Sequence, residues 1–305
     1  MGNLRALAFV SLAVVGACSA FGGSDSTVTS EPSDAAALVE GSTDAPSTGT
    51  VDGDLGAMPD AGPRCNPAAP FGAPVAVKGA PAVIGTFRLT RDENHAYYDD
   101  GNGALFYGPL IAPDTLGKPE KFGLIAADIG GATGVSLSED ESTAFFEQNF
   151  KIWTATKQPD GGYGAAQKVL DNAGQPYLDE PGAGLYASHY FPNVAGNYPR
   201  TIYRASYTNK TVGPFVDLQL GPSSNFSPAP GVPGEGLYLG MDRDSGTKQD
   251  IYLRATDTSL SRQDAVDSVA NEFPLFVSRD GCFLYLASNR VTNFANQLFV
   301  AARGK

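Results

Sequence analysis

One pattern recurs so evenly along this chain that it restricts the fold to an array of near-equal units. An aliphatic residue followed by an aromatic one stands at Leu105-Phe106, Ile152-Trp153, Ile202-Tyr203, Ile251-Tyr252 and Leu298-Phe299. The aromatic positions are separated by 47, 50, 49 and 47 residues. A second apolar pair precedes each of these, at Tyr97-Tyr98, Phe145-Phe146, Leu185-Tyr186, Leu237-Tyr238 and Leu284-Tyr285. Ahead of that pair lies a turn rich in Asp, Glu or Gly: Arg91-Asp92-Glu93, Glu139-Asp140-Glu141, Gly182-Ala183-Gly184, Gly234-Glu235-Gly236 and Arg279-Asp280-Gly281. Self-similarity at such a period is the signature of a repeat architecture.

After the first four aliphatic–aromatic pairs a short apolar stretch follows, at residues 122–127, 165–170, 215–220 and 265–269. Each unit thus holds four short strands with no helical period between them, which predicts an all-β fold built of propeller blades. Paired apolar residues fit strands sandwiched between two neighbouring blades, which lose the inside-out alternation of a sheet with one wet face. The fifth unit stops after its third strand, residues 298–302, because the chain ends at Lys305. Residues 71–78 look like the fourth strands and precede the first unit. They are expected to complete the last blade and so remove its open edge. From 71 to 305 is 235 residues, or 47 for each of five blades; no sixth set of markers is present.

The N-terminus carries a different message. A short basic start ending at Arg5 is followed by an apolar run over 6–15, broken only by Ser11. That is too short to span a bilayer, which takes roughly 20 apolar residues, but it suits the core of an export signal. The run ends in Val15-Gly16-Ala17-Cys18, which resembles the lipobox of bacterial lipoproteins. The resemblance implies removal of residues 1–17 and a diacylglyceryl thioether on Cys18. Ser19, where an aspartate would favour inner-membrane retention, points to the outer membrane. Residues 19–63 carry eight acids and no base. With the lipidated cysteine they form an acidic tether, 18–64, too poor in apolar residues to fold, ahead of a propeller domain over 65–305. Removing the eight acids from the net charge of −12 leaves −4 for the rest. Neither part has the clustered bases that nucleic acid requires.

In the last unit Pro274, Ser278-Arg279-Asp280-Gly281, Leu284-Tyr285 and Ser288-Asn289-Arg290 together resemble the WD40-like repeat of TolB-type propellers. The second unit keeps Ser138 and Asp140, the first keeps Asp92, and the third and fourth keep only a proline and a glycine. The resemblance implies a propeller that binds proteins and leaves the ligand unspecified. Asp92, Asp140 and Asp280 are expected to cap the turn between the first two strands by accepting backbone N–H bonds.

Evidence of chemistry is thin. His95 and His189 lack an HxH or HxxxH partner, so neither a histidine metal site nor a cofactor is expected. Five-bladed propellers include glycoside hydrolases, and Asp128, Asp179, Glu180 and Glu272 are the carboxylates placed to reach a central channel. The alternative, solvated loop acids, is the more economical. The main expectation is therefore a binding or scaffolding module on the envelope for a protein or glycan partner. With Cys18 acylated, Cys65 and Cys282 remain, in a compartment where disulfides persist. In a four-stranded meander the second and fourth strands run the same way, about 9.6 Å apart. Cys65, before the closing strand, and Cys282, opening the second strand, then lie at one end of the last blade. A bond between them is expected; two free thiols are the alternative.

Overall fold

The computed structural model describes residues 64–121, 132–190, 200–220, 224–242, 248–256, 258–291 and 295–305, all within the compact unit Ala57–Lys305. The export signal, Cys18 and the tether up to residue 63 lie outside the described residues, as does Asp128. Arg64, the last residue of the expected tether, donates to Asp280 at 2.6 Å and to Glu93 at 3.1 Å.

The described chain forms a five-bladed β-propeller. Its five antiparallel sheets contain no helix among the described residues. Blade one has Phe87–Leu89, His95–Asp99 and Leu105–Ala112, with Thr115–Leu116 and Glu120–Lys121 both paired to the third strand. Blade two runs Thr133–Leu137, Thr143–Gln148, Lys151–Thr156 and Gln167–Asp171. Blade three runs Ala173–Asp179, Gly184–Tyr190 and Arg200–Thr208, with Thr211–Val212 and Val216–Asp217 beside the third strand. Blade four is Ser224–Pro230, Leu237–Asp242, Asp250–Arg254 and Leu260–Arg262. Blade five is Glu272–Val277, Phe283–Ser288, Gln297–Ala302 and, from the other end of the domain, Val75–Ala76. That last strand pairs Val75 with Val300 and Ala76 with Phe299, closing the ring as expected. The Cys65–Cys282 disulfide is formed beside it.

Two expectations need correction. The apolar stretch 265–269 is not the fourth strand of blade four, because Leu260–Arg262 takes that edge. Val266 is instead buried from a turn, and Val269 stands in solvent. His189, expected after a strand, lies within Gly184–Tyr190 and stacks on Tyr203 at 4.4 Å. For blade one, the expected fourth strand at 122–127 falls outside the described residues.

The paired markers are explained by where their side chains go. Alternate residues of a strand point to opposite faces, and each blade is covered on both. Tyr98 enters the cluster between blades five and one, with Phe87, Leu275 and Tyr285, while Tyr97 enters that between blades one and two. Phe146 packs toward blade one and Phe145 toward blade three. Tyr238 packs toward blade five, and Leu237 and Leu239 toward blade three. Five such interfaces make the core; each fully buried Phe or Tyr contributes on the order of 1.5–3 kcal/mol.

The innermost strands of blades two to five share a second device. Register shifts by a bulge between Thr133 and Ser136, Gly174 and Tyr177, Phe226 and Ala229, and Pro274 and Phe276. In the first three the bulged residue is left-handed: Gly134 at φ 62, Gln175 at φ 51 and Ser227 at φ 46. Its freed N–H turns to the preceding blade, where it finds Asp99 at 3.3 Å, Glu147 at 3.0 Å and the Gln175 amide oxygen at 3.0 Å. The bulges bend the inner strands, and these bonds latch blades two, three and four each to the one before it.

Candidate functional site

The innermost strands end in the turns that the sequence marked with Asp. In blade two, Ser138 donates to Asp140 at 2.7 Å, Asp140 accepts the Ser142 N–H at 3.0 Å, and the Ser138 hydroxyl accepts the Thr143 N–H at 2.9 Å. Blade five repeats this with Ser278, Asp280, Cys282 and Phe283. Blade one repeats it with Thr90, Asp92, Asn94 and His95. Hydrogen bonds from Ser142, Lys210 and Ser138 hold the Asp140 carboxyl well below its ordinary range. The expected capping role of these aspartates is therefore observed, with Thr90 serving where the repeat has serine.

These turns surround a cavity of about 310 Å³ at one mouth of the channel, and every blade contributes to its walls. Its floor follows from register. Leu89, Leu137, Leu178, Pro230 and Val277 pair alike with the second strands, so Arg88, Ser136, Tyr177, Ala229 and Phe276 form one layer. Arg88 extends from blade one across the channel to the Tyr177 ring of blade three, 4.2 Å from guanidinium to centroid. It donates to the carbonyls of Phe87 at 2.8 Å and Leu275 at 2.5 Å. Tyr177 in turn stacks on Phe276 of blade five at 6.4 Å. These three side chains plug the channel under the cavity.

Arg88 is only 4% exposed, its Nε has no hydrogen-bond partner, and no carboxylate bonds it among the described residues. Burial lowers its pKa, with the nearby Tyr177 opposing. The cavity also holds Glu139, Glu141, Asp179 and Glu180. Glu139 is paired with Arg279 and, at 3.6 Å, with Arg91; Glu141 is 3.5 Å from Lys157. Asp179 and Glu180 have no ion-pair partner among the described residues. Asp179 accepts the Gly182 N–H at 3.0 Å, and Glu180 accepts that of Glu139 at 2.5 Å. Burial, with the Glu139 charge adding to it, raises both carboxyls above their ordinary range.

Of the four carboxylates singled out in the sequence, Asp179 and Glu180 therefore meet in this cavity. Glu272 does not. It is buried with Ser268, Ser288 at 3.1 Å and Arg290 at 3.2 Å. Its neighbours Asp250 and Asp267 could share a cation with it, since oxygens of the three lie within 4.8 Å of one another. Lys248, Arg262 and Arg290 already supply that positive charge: Lys248 lies 2.5 Å and Arg262 3.1 Å from Asp250, and Arg262 also lies 2.5 Å from Asp267. The three carboxylates thus form an ion-pair network with these cations, in which Glu272 Oε2 keeps no hydrogen-bond partner. His95 stacks on Tyr107 at 5.0 Å and belongs to no such group of ligands among the described residues. Sequence reasoning missed Arg88, although a lone arginine in the otherwise uncharged run Thr86-Phe87-Arg88-Leu89 is a legible signal.

Compared by sequence, the chain matches no protein-family model and no curated protein. Among solved structures it is similar to a nidogen–laminin complex, with 15% identity and a TM-score of 0.42 over 68% of this chain and 73% of that one. A family 117 glycoside hydrolase of Zobellia galactanivorans overlaps 77% of this chain and 90% of its own at 10% identity and a TM-score of 0.45. An acylaminoacyl peptidase of Pyrococcus horikoshii overlaps 72% of this chain at 15% identity and a TM-score of 0.36, and the chain spans 37% of it. Overlaps this loose transfer no residue and no ligand; the propeller assignment rests on the strand pairing itself.

Proposed function

We propose that this protein is a binding module of the bacterial cell envelope, lipid-anchored through Cys18 in the outer membrane, with the channel mouth as its contact surface for a protein or glycan partner. The observation that carries the reading is the walled cavity to which all five blades contribute, closed beneath by Arg88, Tyr177 and Phe276. A plugged channel favours capture at the mouth over passage, and concave sites with a few convergent polar groups are where ligands bind. The lipobox-like Val15-Gly16-Ala17-Cys18 supports the anchor. Two measurements test this. Cys18→Ser should abolish palmitate incorporation and move the protein out of the membrane fraction; unchanged labelling overturns the anchor. Pro233→Trp, at the exposed rim of the cavity, should lose a partner retained by the parent chain on pull-down from detergent-solubilised envelope. Equal recovery by both would place the contact elsewhere.

A second reading, hydrolysis of a glycan, draws on Asp179. Its carboxyl, raised by burial, stands near Glu139 of another blade, and two carboxyl groups facing one site from different blades are what glycoside cleavage uses. It requires Asp179→Asn to abolish release of reducing sugar from envelope polysaccharide.

A further inference from the structure

The cavity holds opposite charges that the fold compensates only in part, in different ways. Its floor is Arg88, whose side chain is almost wholly buried, with an unbonded Nε and no carboxylate bonded to it among the described residues. A cation in such surroundings keeps a desolvation cost that two carbonyls, the Tyr177 face and the charge of nearby Asp99 offset only in part. In the same cavity stand Asp179 and Glu180, which form no ion pair among the described residues, although the charges of Arg204 and Lys210 reach them. The other two, Glu139 and Glu141, are matched to Arg91, Arg279 and Lys157. Asp179 and Arg88 do not neutralise one another. The Tyr177 ring, two residues before Asp179 on the same strand, covers the guanidinium.

We infer that the cavity binds a small zwitterion of dipeptide size, with its carboxylate on Arg88 and its ammonium group at Asp179 and Glu180. This deepens the proposed function and rests on its choice of the channel mouth. An anion at the floor completes the unmet half of a guanidinium, the side chain best shaped to hold a carboxylate. An ammonium group at the lip relieves two carboxylates that burial and the Glu139 charge disfavour. Size agrees with charge: about 310 Å³ is at the small end of ligand cavities. Apolar contact comes from Leu137 and Val232 on the walls and Phe276 at the floor.

Isothermal titration of the full chain in detergent with three probes tests the inference. Dialanine carries both charges, N-acetyl-dialanine lacks the ammonium group, and dialanine amide lacks the carboxylate. Dialanine should bind at neutral pH, and each blocked form should bind at least about tenfold more weakly. Arg88→Met should erase the preference for dialanine over its amide. Because Arg88 also spans the channel and its loss can unfold the ring, Glu180→Gln provides a second route: it should narrow the preference over N-acetyl-dialanine and leave that over the amide intact. Equal affinities for the three probes, or no binding by any of them, overturns the inference. In that event a partner lost by Pro233→Trp would leave the channel-mouth reading standing, so the two fail separately.

Discussion

The first turns of blades two and three occupy the same place in the ring and are put to opposite uses. In blade two the hydroxyl of Ser138 and one oxygen of Asp140 are taken up by the turn itself, bonding each other and the N–H groups of Thr143 and Ser142, while the other Asp140 oxygen pairs with Lys210 of blade three. In blade three, Asp179 stands where Ser138 does by register, and no Ser-x-Asp pair follows. Its single bond, from Gly182, leaves the carboxylate partly buried on the cavity wall. Where the repeat pattern is kept, the side chains hold the turn. Where it decays, as at Asp179, the carboxylate is left on the cavity wall. The degenerate blade is thus the one to examine for function, and the conserved-looking blade explains stability.

Blade five presents the extreme of the first case, because its capped turn also carries Cys282, whose N–H donates to Asp280 at 3.1 Å. The disulfide to Cys65 joins residues 217 apart. By loop-closure entropy such a link contributes up to about 5 kcal/mol, on top of the edge covered by Val75–Ala76. Replacing both cysteines by serine should therefore give the largest loss, read as a lower denaturant midpoint. An unchanged midpoint would mean that the strand alone closes the ring.

Changing one carboxyl to its amide in each turn sharpens the contrast further. Asp140→Asn should cost about 1 kcal/mol at pH 7, the scale of a hydrogen-bonded cap. Asp140 has its pKa lowered in the folded state by Ser142, Lys210 and Ser138. Its contribution is thus present above the ordinary value of 3.8 and is lost as pH falls toward the folded value, so the two proteins should converge in acid. Asp179 has its pKa raised by burial. The folded state binds its proton more readily than the unfolded one, so Asp179→Asn should stabilise the protein at pH 7, and the gain should vanish on acidification. Parallel pH series of unfolding midpoints read both signs, and two curves of the same sign would break the comparison.

The fold was legible because its causes are periodic. Interfaces between blades need an apolar residue on each side of every second strand, and that requirement recurs as Tyr97-Tyr98 or Phe145-Phe146 at a nearly constant interval. The closing strand and the disulfide followed from counting what was left over. What escaped was aperiodic or substituted. Thr90 does the work of serine with a different side chain, so blade one seemed to keep only its aspartate. Residues 265–269 are apolar like a strand, yet Val266 reaches the core from a turn, and pattern alone cannot separate the two. Arg88 acts by crossing the channel to another blade, a contact between residues 89 apart in the chain that no local motif encodes.

The smallest expected effect isolates backbone from side chain in the capped turns. After the capping aspartate, blade five has Gly281 at φ 72, while blades one and two place Glu93 at φ 55 and Glu141 at φ 54 in the same left-handed region. A residue with a Cβ is strained there by roughly 1–2 kcal/mol, which glycine avoids at some cost in unfolded-state entropy. The Glu141 side chain gives little in return, because its contact with Lys157 is long and half-exposed. Tyr163 bonds the Glu141 carbonyl and is untouched by the change. Glu141→Gly should therefore raise stability by about 0.5 kcal/mol. Glu93→Gly should not, because the Glu93 carboxylate accepts the Arg279 N–H at 2.5 Å and pairs with Arg64 at 3.1 Å, linking blade one to blade five. A stabilised Glu141→Gly beside a neutral or weakened Glu93→Gly, both measured by denaturant unfolding, shows that the turn tolerates glutamate in blade one for the inter-blade link it makes. Equal gains in the two variants would show that this link contributes nothing.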